Sequence, residues 1–532
     1  MIRTPHAAYF CMEYGLDESF PIYSGGLGVL AGDFIKSAHD LHLPLVAVGL
    51  LWERGFTVQR LGPDGQPRDE YPAYDTSFLR DTGVRVRVRV RGVEVHCDVF
   101  VTDRHGHVPL YLLQPHRAED RWITRRLYEA GTDVRIAQEI LLGIGGVRAL
   151  NWLAIPVQTY HFNEGHAVFA GLEMIAERME AGMTFPAAWE DTRKRIVFTT
   201  HTPVKAGNEE HAVPDLRRMG ACLELSGAEM RAIGGDPFNM TIAGLRLARR
   251  ANAVAKLHAE TAQAMWAHVT DGAPIIPITN GVHAPTWQSR RVRDAGRDPA
   301  KLWEAHAHHK AELIALVRER SDIPLDPDAL TIGFARRFAA YKRPDLILRD
   351  PERLGALFAA QPLQLLFAGK AHPQDNVGRA LVARVAEAQR TWPGRVVFLE
   401  NYDMALARAL TRGCDVWLNN PVRPLEASGT SGMKAGLNGV LNLSILDGWW
   451  PEACEHGVNG WAIGDGQPGD DVRDMGDLYA TLESQVLPAW RDRARWTAMM
   501  QASIATVEGG FTSDRMAKDY FEQLYEMPLP QD

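Results

Sequence analysis

Nine consecutive residues, Glu426-Ala427-Ser428-Gly429-Thr430-Ser431-Gly432-Met433-Lys434, gather a carboxylate, three hydroxyls, two glycines and a primary amine. They follow an apolar strand-like run, Val416-Trp417-Leu418, and precede another, Val440 to Leu446. Glycines between strands let a backbone approach a ligand closely. Such a loop ahead of a helix can hold an anion, because unpaired amides and the helix dipole point at it. Lys434 falls about one turn into that helix, where an amine suits a phosphate contact or a Schiff base with pyridoxal phosphate. A glycine-rich turn with a solvated lysine uses the same residue types.

Other stretches offer related chemistry. Arg336-Arg337-Phe338-Ala339-Ala340-Tyr341-Lys342-Arg343 follows a predicted strand and is rich in cations. Guanidinium forks and an amine suit phosphate, although a basic surface turn needs the same residues. Pro21 to Gly32 reads as a glycine-rich turn after the strand Ala8–Met12 and before a helix over Asp33 to His42, a second candidate anion site. Tyr160-His161-Phe162-Asn163-Glu164-Gly165-His166 and Thr199-Thr200-His201-Thr202-Pro203 close two further strands, at the end where open α/β sheets bind ligands. His161, His166 and His201 carry metal-ligating atoms, but no HExxH or other compact ligand pattern accompanies them, so no metal site is expected.

With Leu437-Asn438-Gly439 and Leu446-Asp447-Gly448 behind it, the nine-residue string resembles the cofactor segment EASGTGNMK of the α-glucan (glycogen, starch, maltodextrin) phosphorylases. In that family the lysine carries pyridoxal phosphate. Ser431-Gly432 stands where Gly-Asn is usual, a departure that resembles the short bacterial and archaeal type. Further strings follow in the family's order from about residue 9 to residue 450. YSGGLGVLAGDF is similar to its glycine loop, HFNEGH and HTPVK to its LNDTHP and HTVLPE segments, and Ile278-Thr279-Asn280-Gly281-Val282 to its ITNGI bridge. Arg336 to Arg343 resembles the phosphate site KRIHEYKR, and Leu399-Glu400-Asn401-Tyr402 the segment FLENY. Arg249 to His258 resembles SHAVNGVARIH, with Arg249 where the common string has a histidine; no role is carried onto Arg249.

The resemblance implies an α/β protein of the GT-B glycosyltransferase fold, two Rossmann-like domains facing a central cleft. It places an N-terminal domain over 1–282, a cofactor domain over 283–512, and a C-terminal helix over 513–532 that returns to the first domain. It implies pyridoxal 5'-phosphate as a Schiff base on Lys434, with Thr430, Ser431, Gly432, Arg336, Tyr402 and Gly26 around the cofactor. Arg337 and Lys342 would bind substrate phosphate. Glu426, Ser428, Gly429, Asn280, His201, Gly25 and Leu27 would meet the sugar. The implied reaction is retaining phosphorolysis of an α-1,4-glucan from the non-reducing end, releasing α-D-glucose 1-phosphate. The partners are then a glucan and inorganic phosphate, and a homodimer is an allowed assembly. Two alternatives stay open: a nucleotide-sugar-dependent glucan synthase on the same fold, against which Lys434 argues, and a catalytically silent carbohydrate-binding relative.

Composition and periodicity set the frame for these residues. A chain of 532 residues is too long for one ordinary core and suggests two or three domains. A net charge of -8 argues against general nucleic-acid or acidic-membrane binding. Five widely spaced cysteines without a CxxC pair suggest free thiols in a reducing compartment. Met1-Ile2-Arg3-Thr4-Pro5 starts no apolar signal region, so the cytoplasm is expected. The family pattern begins at about Tyr9, so the regulatory N-terminal extension of long members is expected to be missing. In the second half, buried strands at Leu330–Phe334, Leu363–Ala368, Val396–Leu399, Val416–Leu418 and Val440–Ile445 alternate with helices such as Asn376–Arg390 and Met404–Arg412. That alternation implies a parallel sheet. Val84 to Arg91 alternates valine with arginine, the mark of a half-exposed antiparallel element.

Overall fold

A computed structural model of the chain describes residues 7–204, 207–527 and 529. The Met1–Pro5 stretch lies outside them. The chain divides into two compact units: Met1–Phe56, Tyr71–Thr279 and Asp514–Asp532 form the first, and Thr57–Glu70 with Asn280–Ser513 the second. Both are built on sheets with parallel strands, so the protein is mixed α/β.

The first unit holds nine strands in one sheet: β1 (Ala7–Phe10), β2 (Leu45–Leu50), β3 (Arg80–Val90), β4 (Val93–Thr102), β5 (Leu110–Pro115), β6 (Thr159–Asn163), β7 (Ile196–Thr200), β8 (Arg250–Ala253) and β9 (Ile275–Pro277). Their spatial order is β9-β8-β7-β6-β1-β2-β5-β4-β3. Strands β9 through β5 in that order pair in parallel, and β4 and β3 close the edge antiparallel. Every residue of β1, β2, β6 and β7 is buried; β1 and β2 are apolar throughout, whereas β6 and β7 bury Thr159, His161, Asn163, Thr199 and Thr200 as well. In β3 the valines at 86, 88 and 90 are buried and the arginines at 85, 87 and 89 exposed. Arg85 pairs with Asp98 across the ladder at 2.7 Å. The order reverses between β1 and β6, and the loops leaving β1, β6 and β7 gather at that edge.

The glycine-rich stretch is not a turn ahead of a helix starting at Asp33. The helix runs over Gly26–Asp40 and contains Gly28 and Gly32. A Cβ on Gly32 would lie 2.0 Å from the Gly15 carbonyl oxygen. These glycines therefore let the helix pack against the segment after β1, a close approach that local pattern reads as a loop. The Arg135 region is helical over Thr132–Ile140 and Gly146–Trp152, joined by a wider turn over Leu141–Gly145. The helix Ser513–Asp519 and the turn Tyr520–Leu524 carry the chain's last described part. Within the first unit, Asp514 accepts from Ser37 Oγ at 2.5 Å, and the Tyr525 hydroxyl lies 2.8 Å from His161 Nδ1. Arg249 donates to the carbonyls of Lys194 and Tyr525, each at 2.7 Å, so it clamps backbone rather than presenting its charge.

The second unit's main sheet has six strands, β10 (Leu330–Ala335), β11 (Leu363–Ala368), β12 (Val396–Leu399), β13 (Val416–Asn419), β14 (Leu441–Ile445) and β15 (Gly460–Ile463). All pair in parallel, in the order β12-β11-β10-β13-β14-β15, so the order reverses between β10 and β13. Strand β15 escaped the sequence reading because it is four residues long and opens on a glycine. Helices Asn376–Thr391 and Met404–Gly413 start at side-chain caps, Asp375 on the Gly378 amide and Asp403 on the Leu406 amide. The hairpin Val58–Leu61 and Pro67–Glu70 joins this unit through polar side chains. The Gln59 amide exchanges hydrogen bonds with the Ala371 backbone at 2.9 and 3.1 Å, and Asp69 pairs with Arg379. No hydrophobic period marks such an excursion in advance.

Candidate active site

In the second unit the reversal of the sheet assembles a charged cluster. Strand β10 ends at Ala335 and hands on to Arg336 and Arg337, while β13 ends at Asn419 and leads into the loop that carries Glu426. Arg336 Nη2 donates to Glu426 Oε2 at 2.6 Å, and Nη1 to Asn419 Oδ1 at 2.9 Å. Lys342, in a single helical turn over Ala340–Lys342, donates to both Glu426 oxygens at 2.7 and 3.1 Å. Its ammonium also sits 4.6 Å from the Tyr341 ring centre. Burial alone would raise the Glu426 pKa, but Arg336 and Lys342 outweigh it and hold the carboxyl down at about 2. Glu426 is therefore an acceptor at neutral pH and has no proton to give.

Asp447, just past β14, fixes that carboxylate in turn. Its Oδ2 accepts from the Glu426 amide at 2.9 Å and its Oδ1 from the Gly448 amide at 2.8 Å. Burial pushes the Asp447 pKa up to about 7, and the Glu426 charge adds to it against those two amides. Gly448 has φ +59°, and a Cβ there would lie 2.1 Å from the Ser428 carbonyl oxygen. The Trp449 amide donates to the same carbonyl at 2.9 Å, so the 426–430 loop is stitched to the segment after β14.

Lys434 lies in the short helix Ser431–Gly436 and is only 7% exposed. Its ammonium stands 3.9 Å from the centre of the Trp287 indole. Asn438 donates to the carbonyls of Trp287 and Lys434 at 3.1 and 2.9 Å and accepts from the Ser289 amide at 2.8 Å, which locks the Trp287 segment to the helix. Thr430 precedes the first helical turn, Ser431 Oγ accepts from Trp417 Nε1 at 3.1 Å, and the Gly432 carbonyl accepts from Asn442 at 3.0 Å. The buried Ser428 hydroxyl and Arg336 Nε have no hydrogen-bond partner among the described residues. Gly429 takes φ +73° beside Glu426.

The cluster thus brings together Arg336, Lys342 and Glu426, with Ser428 to Lys434 continuing from it. Arg337 is exposed; against burial, Lys342 and to a lesser degree Arg337 lower the Tyr341 pKa, and burial, aided by Arg337, lowers that of His372. Burial raises the Tyr402 pKa while the Arg336 charge opposes it. Asn280 is buried at the start of the unit. Trp287, Asn419, Asp447 and Lys370 were not singled out as site residues. Asp447 belongs to the Leu-Asp-Gly string already noted, but nothing local signals the indole under Lys434. Lys370 donates to the Thr57 carbonyl at 2.7 Å, and burial lowers its pKa to about 8.

In the first unit the corresponding edge is held mostly by backbone, hydroxyl and neutral groups, with one buried ion-pair group around Arg135. Glu13 accepts from the Ser24 and Gly25 amides at 2.7 and 3.2 Å and from the Tyr128 hydroxyl at 2.7 Å. The Gly25 amide, a candidate donor to a ligand, is therefore spent on Glu13, and Gly26 and Leu27 open the helix behind it. His201 pairs Nε2 with Asn163 Oδ1 at 2.7 Å, and its backbone amide donates to Glu164. Burial, aided by His258, lowers the His201 pKa to about 3, so its ring is neutral. His161 spends both ring nitrogens on Tyr525 and Thr199. Among the described residues, one buried group with ligand atoms close enough for a metal is Glu139, Glu209 and His211. Arg135 reaches Glu209 at 2.9 Å and Glu139 at 3.3 Å and supplies a cation there itself.

Comparison with known proteins places this arrangement. Residues 291–457 match the family model for carbohydrate phosphorylase. The maltodextrin phosphorylase of Thermococcus litoralis is 42% identical, over 98% of this chain and 70% of that protein. The glycogen phosphorylase of Mycobacterium tuberculosis is 42% identical over 97% of this chain and 70% of its own length. That of Aquifex aeolicus is 37% identical over 98% and 86%. The chain belongs to the carbohydrate phosphorylase family. Among its described residues no helix is long and apolar enough to cross a membrane.

Proposed function

We propose that this chain is a cytoplasmic glycosyltransferase, an α-1,4-glucan phosphorylase that uses inorganic phosphate to release α-D-glucose 1-phosphate from the non-reducing end. The observation that carries this reading is the convergence of Arg336 and Lys342 on Glu426 at the reversal of a parallel sheet, one loop ahead of a buried lysine. Relatives named maltodextrin and glycogen phosphorylase support it, and nothing favours a nucleotide-sugar synthase over it. The strand order of the second unit, third-second-first-fourth-fifth-sixth, supports a Rossmann-like domain and with it the GT-B assignment.

The residues fit pyridoxal phosphate. Lys434 is a buried primary amine on an indole face, the Ser428 hydroxyl lacks a partner, and cations stand nearby. Lys434 would hold the cofactor, with Thr430, Ser431, Gly432, Arg336 and Tyr402 around it. When bound, the cofactor supplies a phosphate group able to exchange a proton with the substrate phosphate. The chain's own groups do the rest. Two unit charges 4 Å apart repel by about 4 kcal/mol at an effective dielectric near 20. Arg337 and Lys342 offset such repulsion around the substrate phosphate. Lys342 has three donors, so it can keep Glu426 and add a phosphate oxygen. Glu426, fixed by Asp447, accepts from sugar hydroxyls, with Ser428, Gly429 and Asn280 as further contacts. Inorganic phosphate then protonates the glycosidic oxygen, the C1–O bond breaks, and a phosphate oxygen bonds to C1 with retention. No carboxylate pair flanking the bond is needed.

The test is direct. Purified protein is assayed for stoichiometric pyridoxal phosphate by absorbance and acid release, then given maltoheptaose with phosphate, or with UDP- or ADP-glucose without it. Cofactor and glucose 1-phosphate are expected. Turnover only with a nucleotide sugar would install the synthase, and binding without turnover the silent relative.

A further inference from the structure

Among the described residues, two groups of side chains each bring three metal-ligating atoms within 4.8 Å of one another. One, Glu139 with Glu209 and His211, already holds the Arg135 guanidinium. The other is His308, His309 and Glu312 on the helix Pro299–Ser321. Residues three and four apart are neighbours on a helix surface, so Glu312 meets both imidazoles. His308 Nε2 is 3.0 Å from Glu312 Oε1, and His309 Nδ1 is 2.8 Å from Glu312 Oε2. Ligand atoms about 2.0–2.1 Å from a tetrahedral zinc ion stand about 3.3–3.4 Å apart, so rings and carboxylate need to part by only a few tenths of an ångström to admit one. The side chains of His308 and Glu312 are 40% and 59% exposed and that of His309 9%, so the group is open to ions on one side and anchored on the other.

The anchor is Ser289. Its hydroxyl lies 2.5 Å from His309 Nε2 and accepts from the Arg291 amide at 3.2 Å. A metal-ligating histidine has its second nitrogen fixed by such a partner, which decides the nitrogen that faces the metal. Without an ion, Nδ1 carries the ring proton toward Glu312 and the Ser289 hydroxyl donates to Nε2. With an ion on Nδ1, the proton sits on Nε2, which donates to Ser289 Oγ. The ring is neutral in both states. The Ser289 amide in turn donates to Asn438, which holds the carbonyls of Trp287 and Lys434.

The chemistry also selects the ion. Arg412 acts on His309 through its charge and donates to the Trp287 carbonyl at 3.2 Å. One carboxylate against one guanidinium gives calcium or magnesium, which need several oxygen ligands, little to bind. Two imidazoles and a carboxylate suit zinc and its neighbours, and three protein ligands leave one position for water.

We propose that His308, His309 and Glu312 bind zinc or a like transition-metal dication, and that the bound ion ties this helix through Ser289 to the Trp287 segment. The site shares no residue with the Glu426 cluster and does not rest on the phosphorylase reading.

The experiment uses tag-free holoenzyme in phosphate-free buffer. Zinc is titrated against a chelating dye of micromolar affinity, and cobalt is added as a probe whose visible absorption reports its ligands. One zinc ion per chain is expected, with no displacement of cobalt by magnesium or calcium. His308→Ala and Glu312→Gln, both at accessible positions and checked for folding by circular dichroism, should each weaken zinc binding by at least about a hundredfold. Ser289→Ala, which removes only the outer hydroxyl, should weaken it by about 10–100-fold. Zinc should also slow hydrogen exchange over residues 287–291 in the parent protein and not in His308→Ala. Zinc affinity unchanged in His308→Ala and Glu312→Gln would overturn the proposal, as would displacement of cobalt by magnesium or calcium. Zinc bound at these residues without slowed exchange at 287–291 would overturn the tie through Ser289.

Discussion

The two sheet edges solve the same problem with different chemistry. At the first unit's edge, carboxylates are satisfied by backbone and hydroxyl donors: Glu13 by two amides and Tyr128, Glu164 by the His201 and Gly165 amides and Thr202. Of the histidines there His161 is buried and His166 and His201 are half-buried, and each is pushed down to about 3, mainly by desolvation. At the second unit's edge, Glu426 is satisfied by two cations, and its charge is retained. An edge built mainly of neutral dipoles, its Arg135 cation spent on Glu139 and Glu209, can shape a sugar pocket. An edge of concentrated positive charge can also hold two phosphate groups close together. Residue identity explains the contrast, because guanidinium and ammonium keep their charge near neutral pH while imidazole surrenders it on burial.

The sharpest break of the comparison is Lys434→Ala. If the second edge carries the chemistry, this variant loses retained pyridoxal phosphate and at least about 10²–10⁴-fold in phosphorolysis, the range for losing a proton-transfer partner. Retained cofactor would move the attachment point elsewhere. Arg337→Ala comes next. A charge-assisted hydrogen bond is worth about 1.5–3 kcal/mol, so the apparent KM for phosphate should rise ten- to a hundredfold while that for glucan stays within a factor of about two. A glucan effect of equal size would assign Arg337 to the sugar instead.

Acid should separate the edges. The three histidines have folded pKa values below their ordinary 6.5, so acid protonates the unfolded chain first and stability is lost as pH falls from 6.5 toward 3. Glu139, raised to about 8, and Glu164, also raised, each mainly by burial, work the other way, but two carboxyls do not offset three imidazoles. The Glu426 contribution is fully present above 4.5 and is lost only as pH falls below that toward 2. Hydrogen exchange between pH 6.5 and 4.5 should therefore open the 160–168 and 199–203 segments before the 426–434 loop. The smallest effect belongs to Asp447→Asn. The parent carboxyl has its pKa raised from 3.8 to about 7, so its stabilisation is full below 3.8 and is lost as pH rises to 7. The variant should gain on the parent between pH 5 and 7, by about 2–4 °C in Tm per kcal/mol for a unit of this size. A pH-independent difference would show that Asp447 is ionised throughout.

Much of this was written locally. Five strands of the second unit were legible because each is an apolar run buried on both faces, and two helices were legible as the stretches between them; Asp375 and Asp403 cap their starts. The cofactor loop and the cation-rich segment stood out because consecutive residues carried unusual chemistry. What the sequence determined by itself is thus whatever depends on neighbours along the chain: elements, the amine, the hydroxyls and the family strings. Tertiary structure alone decided that Gly28 and Gly32 lie inside a helix, since only the Gly15 segment packed against it demands the missing Cβ. It decided that Thr57–Glu70 joins the second unit, through Gln59 and Asp69. It also set Trp287 under Lys434 and turned Arg336 and Lys342 onto Glu426, pairings between residues far apart in the chain. Charge and ring contacts act through space over a few ångströms, and a linear pattern holds no record of which distant residues folding will bring within that range.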